Sequence, residues 1–151
     1  MKIELKNIKH AEFASRETHC FTASVYIDGK RSGTVSNDGH GGCNGYEPRS
    51  LALVINDYAK TLPPLPSPFA DYDEPIEQSE DTLIGELVNQ YVIKKQEKQW
   101  CKNATLVRFE GEEYHDSWRQ FKVKYYPELI AKLEKQVGKK VSQCLNQELI
   151  A

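Results

Sequence analysis

The sequence lacks any run of about 18 apolar residues, the length that a membrane-crossing helix requires. It also lacks the short apolar stretch of a secretion signal, since Met1-Lys2-Ile3-Glu4-Leu5-Lys6 alternates charge with apolar groups. Cysteine is sparse: Cys20, Cys43, Cys101 and Cys144 fit no CxxC pattern. Free thiols are therefore expected, together with a cytoplasmic setting and no membrane partner. No lysine followed by serine or threonine closes a P-loop, there is no GxGxxG, and no internal repeat is visible.

What is present is ordinary globular material. The chain has 151 residues, of which 39% are hydrophobic and 28% charged. That length suits a single domain over residues 1–151 that holds its core without disulfide or metal. The formal net charge of -2 hides a division. Residues 1–67 carry 8 basic and 7 acidic groups, residues 68–90 carry 7 acidic and none basic, and residues 91–151 carry 12 basic and 8 acidic. The acidic stretch around 71–86 would attract a basic partner, or serve only as a solvated loop and helix start.

Hydrophobic periodicity predicts the elements. Residues 3–8 read as a strand. From His19 to Asp28, Phe21, Ala23, Val25 and Ile27 alternate with polar neighbours, which predicts a half-buried strand. Asp28-Gly29 then favours a hairpin turn with positive φ at both residues, and 30–36 return as the partner. Pro48 opens a helix whose stripe is Leu51, Val54, Ile55, Tyr58, Ala59 and Leu62. Five prolines stiffen an arm over 62–78. A second helix follows from Glu80 to Gln99, with Ser79 as its cap and Leu83, Ile84, Leu87, Val88, Tyr91 and Val92 inward. A second hairpin is expected over 104–124 around Glu110-Gly111-Glu112. A third helix opens at Pro127 and stops at Gly138, and a last short helix covers 140–150. This order predicts an α+β fold, an antiparallel sheet built from two hairpins and packed by three to four helices.

Residues 36–46 are chemically unusual, with four glycines in the seven positions 39–45. Glycine is favoured where backbone turns sharply or approaches something closely. Between a strand and a helix start, free N–H groups attract anions. Asn37, Asp38, Gly39, His40, Gly41, Gly42, Cys43 and Asn44 are thus candidate ligand-binding residues for a small anionic ligand. A second reading is a hydrolase or transferase. Cys43 would be the nucleophile, His40 its base and Asp38 the orienting carboxylate. A third is zinc held by His40, Cys43 and His19, although His19-Cys20 lacks the spacing of a zinc pair. A fourth is purely structural: a polar loop with a buried cysteine and a hydrogen-bonded histidine.

A further candidate is single-stranded nucleic acid on a basic–aromatic face. It would use Trp100, Phe109, Trp118, Phe121, Tyr125 and Tyr126 with Arg108, Arg119, Lys122 and Lys124. The RRM signature is absent, and aromatics at such spacing serve a core more often, so nucleic acid is the less favoured partner.

The stretches Val25-Tyr26-Ile27-Asp28-Gly29-Lys30 and Val35-Ser36-Asn37-Asp38-Gly39-His40-Gly41-Gly42-Cys43 resemble small uncharacterised proteins of bacteriophages and bacterial mobile elements. The resemblance spans residues 1–60. It implies a phage accessory protein in the host bacterial cytosol that docks and inhibits a host factor, and it assigns no site residue. Since no complete catalytic signature is present, binding of a host protein or a small anionic ligand is favoured over catalysis.

Overall fold

The computed structural model describes residues 1–67, 71 and 74–150. The expected arm over 62–78 and the acidic stretch therefore lie partly outside the described residues. The chain packs as two compact units, Met1–Val92 and Ile93–Ala151. Both are built from antiparallel strands and helices, so the fold is α+β, with the two hairpins in separate sheets.

The first unit holds a four-stranded sheet in the order β1 (Ile3–His10), β2 (Cys20–Ile27), β3 (Lys30–Asp38) and β4 (Gly45–Glu47). Asp28 and Gly29 have φ of 49° and 79°, as the hairpin turn demands. The Asp28 carboxylate also accepts the Lys2 backbone N–H at 2.7 Å, fixing the end of β1 to that turn. Phe21, Ala23 and Val25 are buried, as their period of two requires. Helix α1 (Leu51–Ala59) adds Leu51, Ile55 and Ala59 to the buried set, and α2 (Glu80–Trp100) adds Ile84 and Val88. The stripe on α1 is narrower than the spacing predicts, because Val54 faces out. Ser79 and Thr82 cap α2 reciprocally, each hydroxyl accepting the other's backbone N–H. The prolyl arm is closed at its base, where Leu65 and Ile76 exchange backbone hydrogen bonds of 2.9 and 2.8 Å.

One expectation is corrected here. The glycine-rich segment does not run from a strand into a helix. It connects β3 to β4, and Pro48 precedes α1, with its carbonyl accepting the Leu51 N–H at 3.0 Å. Tyr46 explains the extra strand: its side chain is buried opposite Val35 in the sheet register.

In the second unit, β5 (Thr105–Phe109) lies between β6 (Arg119–Phe121) and β7 (Val141–Cys144). The expected hairpin forms, but residues 110–118 intervene rather than a tight turn at Gly111. Helix α3 (Leu129–Val137) ends at Gly138, whose φ of 77° makes it a left-handed cap. The predicted helix over 140–150 is only half right, since residues 141–144 are β7 and only Leu145–Ile150 form α4. The free edge of β5 accounts for this, because its polar backbone needs partners that a helix would not supply. Glu134 helps by accepting the Val141 N–H at 2.9 Å. That bond and Lys140 hold the Glu134 carboxyl below its ordinary range.

Asn146, buried on α4, closes this unit. Its Oδ1 accepts the Leu106 N–H at 2.9 Å, and its Nδ2 donates to the Ala104 carbonyl at 2.8 Å. Asn146→Ala leaves both groups buried without partners. It should cost about 2–4 kcal/mol, read as a shift of the denaturation midpoint, whereas an exposed control such as Gln143→Ala should be near neutral.

Candidate functional site

The site is organised by Asn37, near the end of β3. Its Oδ1 accepts the Thr18 hydroxyl at 2.7 Å and the Gly39 N–H at 2.9 Å. Its Nδ2 donates to the Gly42 carbonyl at 2.9 Å and to Asn44 Oδ1 at 3.1 Å. The Gly39 carbonyl in turn accepts the N–H groups of Arg16, Glu17 and Thr18. Gly39 has φ of 85°, and a Cβ there would press into the Ala14 carbonyl, so no other residue fits without strain.

The result is a cleft of about 390 Å³ in the first unit. Gly41, Gly42, Cys43 and Asn44 form one wall, and Thr18 and His19 another. Asp81 and Gly85 of α2 line it too, above an apolar floor of Phe21 and Val88. Asn44 donates to Asp81 Oδ1 at 3.1 Å, which fixes both at the rim. Gly85 is open: a Cβ there would meet nothing within 4 Å.

The anion cradle expected from the glycines is occupied from within over its first three N–H groups. The N–H groups of Gly39, His40 and Gly41 bond to Asn37 Oδ1, Asp38 Oδ1 and Thr18 Oγ1. The charged side chain that lines the cleft is the carboxylate of Asp81, with Glu80 beside it in sequence. Such a field opposes a second negative charge.

Of the candidate catalytic groups, His40 and Asp38 are brought together. His40 and Asp38 are exposed, with Nδ1 and Oδ1 3.5 Å apart. Cys43 is exposed rather than buried, and among the described residues no hydrogen bond joins it to a histidine. His19 is held by a different partner: its Nδ1 lies 3.1 Å from His10 Nε2, which is also 3.2 Å from Ser15 Oγ. The Ser15 hydroxyl also lies 2.8 Å from the Ala11 carbonyl, to which it can donate. His40, Cys43 and His19 do not converge, and among the described residues no group of three or more His, Cys, Asp or Glu side chains could hold a metal ion.

Two features of the site escape sequence reasoning. The first is Gly85, whose only signal is a glycine inside a helical stripe. The second is the pair Tyr46 and Glu80, where the phenol donates to the carboxylate. Burial, reinforced by that bond and the nearby charge, pushes the Tyr46 hydroxyl far up, so it stays protonated. Burial, with the charge of Asp81, also raises the Glu80 carboxyl above its ordinary range.

No family model matches the chain, and no curated protein or solved structure matches it either.

Asn37→Ala removes four hydrogen bonds at once and should destabilise by about 2–4 kcal/mol. Amide exchange in the 39–44 loop should rise more than in α1. Glu80 binds its proton more tightly when folded, so its contribution is complete below the unfolded value near 4.5 and is lost as pH rises through the raised folded value. Glu80→Gln should therefore gain stability relative to wild type across that window, read by denaturation at a series of pH values.

Proposed function

We propose that this chain is a binding protein without catalytic activity, and that the cleft between the 39–44 loop and α2 is where it holds its ligand. The observation that carries the reading is the open Gly85 over an apolar floor ringed by Thr18, His19, Asn44 and Asp81. Few convergent polar groups above an apolar base are the usual form of a small-ligand site. A glycine inside a helix costs about 0.5–1 kcal/mol relative to alanine, and here its missing side chain leaves the cleft clear.

The charge at the rim selects for a group that donates hydrogen bonds or carries positive charge. An amine or guanidinium would meet Asp81 and the Asn44 carbonyl, whereas the anion suggested by the glycine pattern would meet a carboxylate. A basic side chain presented by a partner protein fits the same chemistry. This is the form in which the cleft would serve an accessory protein that docks a host factor. Catalysis by Cys43 and His40 has less support, because the two side chains share no hydrogen bond.

The test is an amide-resolved titration with arginine methyl ester, ethanolamine and, as the anion, inorganic phosphate. The cationic probes should shift Thr18, Gly41, Gly42 and Gly85, and phosphate should not. Gly85→Leu should fill the cleft and abolish these shifts, while Gly85→Ala should raise stability by about 0.5–1 kcal/mol. Equal shifts with phosphate, or unchanged shifts in Gly85→Leu, would overturn the reading.

A further inference from the structure

The second unit carries a different cavity, independent of the cleft above. Lys98, Lys102 and Lys124 line a space of about 240 Å³ together with Tyr125, Leu149 and Ile150. A second space of about 570 Å³, lined by Tyr125, Tyr126, Pro127, Gln147 and Ile150, shares Tyr125 and Ile150 with it. The two adjoin at Tyr125 and Ile150, the first lined by lysines and the second by two tyrosines. Among the described residues, no carboxylate lines either space. Among the described residues, no ion pair joins Lys98, Lys102 or Lys124 to a carboxylate.

Only part of the basic–aromatic face read from the sequence borders this cavity: Lys124, Tyr125 and Tyr126 line it, whereas the two arginines of that face are engaged elsewhere. Arg108 stacks 4.1 Å from the centre of the Trp118 ring and donates from Nε to the Ser117 carbonyl. Arg119 lies 3.7 Å from Glu112 and faces Phe109 and Phe121. Those groups satisfy one another within the fold. Among the described residues, no such pairing engages Lys98, Lys102 or Lys124.

We infer that this double cavity takes the phosphate–base unit of a nucleotide, free or within a single strand. The three ammonium groups neutralise phosphate, and Tyr125 at the junction offers a ring to the base. The Tyr125 hydroxyl accepts from Gln147 Nε2 at 3.0 Å, which fixes the ring that both spaces share. Lysine is a point charge without a fork of donors, so recognition is of charge and ring rather than of sequence. The unit that holds the cavity carries 12 basic and 8 acidic groups, so the lysine substitutions are needed to separate this site from general attraction.

The test is fluorescence anisotropy of a labelled oligodeoxythymidine of about ten nucleotides on the full chain across salt concentrations. Contact with three phosphates predicts a slope of log affinity against log salt near about -2. Replacing Lys98, Lys102 and Lys124 together by glutamine should weaken binding about tenfold or more at low salt and flatten that slope. The matching arginine triple should restore both. All three positions are exposed, so an unchanged melting curve reports that the fold survives. Displacement of the strand by thymidine monophosphate assigns the site to the free nucleotide, and failure to displace assigns it to the strand. Absence of binding by either probe at low salt, an unchanged slope in the glutamine triple, or equal displacement by inorganic phosphate would overturn the inference.

Discussion

The side chain of Asn37 is the constraint on which the first unit's surface depends. An amide can accept through one atom and donate through the other, and here both ends are fully used. The connection before β2 and the connection between β3 and β4 are joined through it. Gly39 completes the joint, because its carbonyl gathers three N–H groups from residues 16–18. Neither loop could hold its shape alone, since each is rich in backbone groups that no strand or helix satisfies. An aspartate at 37 would lose both donors, and a leucine all four bonds. The cleft is the space left beside this joint, so its shape rests on one residue that does not carry its charge.

The same hydrogen bonds decide what the cleft can recognise. A glycine-rich turn attracts anions only when its N–H groups point outward without partners. Here three successive N–H groups are turned inward onto Asn37, Asp38 and Thr18. The side chains that line the cleft beside them include the Asn44 amide and the Asp81 carboxylate. The glycines at 39 and 41 are needed for backbone of positive φ, not for the approach of a phosphate. Composition alone does not separate these two uses of glycine, because they differ only in where the N–H groups go.

Legibility in the sequence follows the range of the interactions. The alternation of β2, the Asp28-Gly29 turn, the stop at Gly138 and the acidic start of α2 are local effects, and each is visible in a few neighbouring residues. Strands β4 and β7 are not, because β4 is a three-residue return across the glycine-rich loop and β7 pairs an edge far away in the chain. Their short lengths carry no periodicity to read. The site divides in the same way. The segment 36–46 stands out by composition, and it does line the cleft. Asp81, Gly85 and Val88 come from a helix some forty residues later, and only tertiary packing brings them in. Asn146 is similarly silent, since its partners at Leu106 and Ala104 are forty residues distant.

The charge division of the chain acquires a physical meaning once the units are known. Met1–Val92 contains 8 basic and 14 acidic groups, whereas Ile93–Ala151 contains 12 basic and 8 acidic. The near-neutral total is therefore the cancellation of two opposed fields. Each cavity has the sign of the unit that holds it: a carboxylate at the rim of the first, three ammonium groups around the second. Local charge and the surrounding field then act in the same direction on a ligand, which strengthens the discrimination each site makes. A cation-seeking cleft and an anion-seeking cavity on one chain would compete for nothing. Salt would weaken both, since Asp81 and the three lysines are all exposed and readily screened.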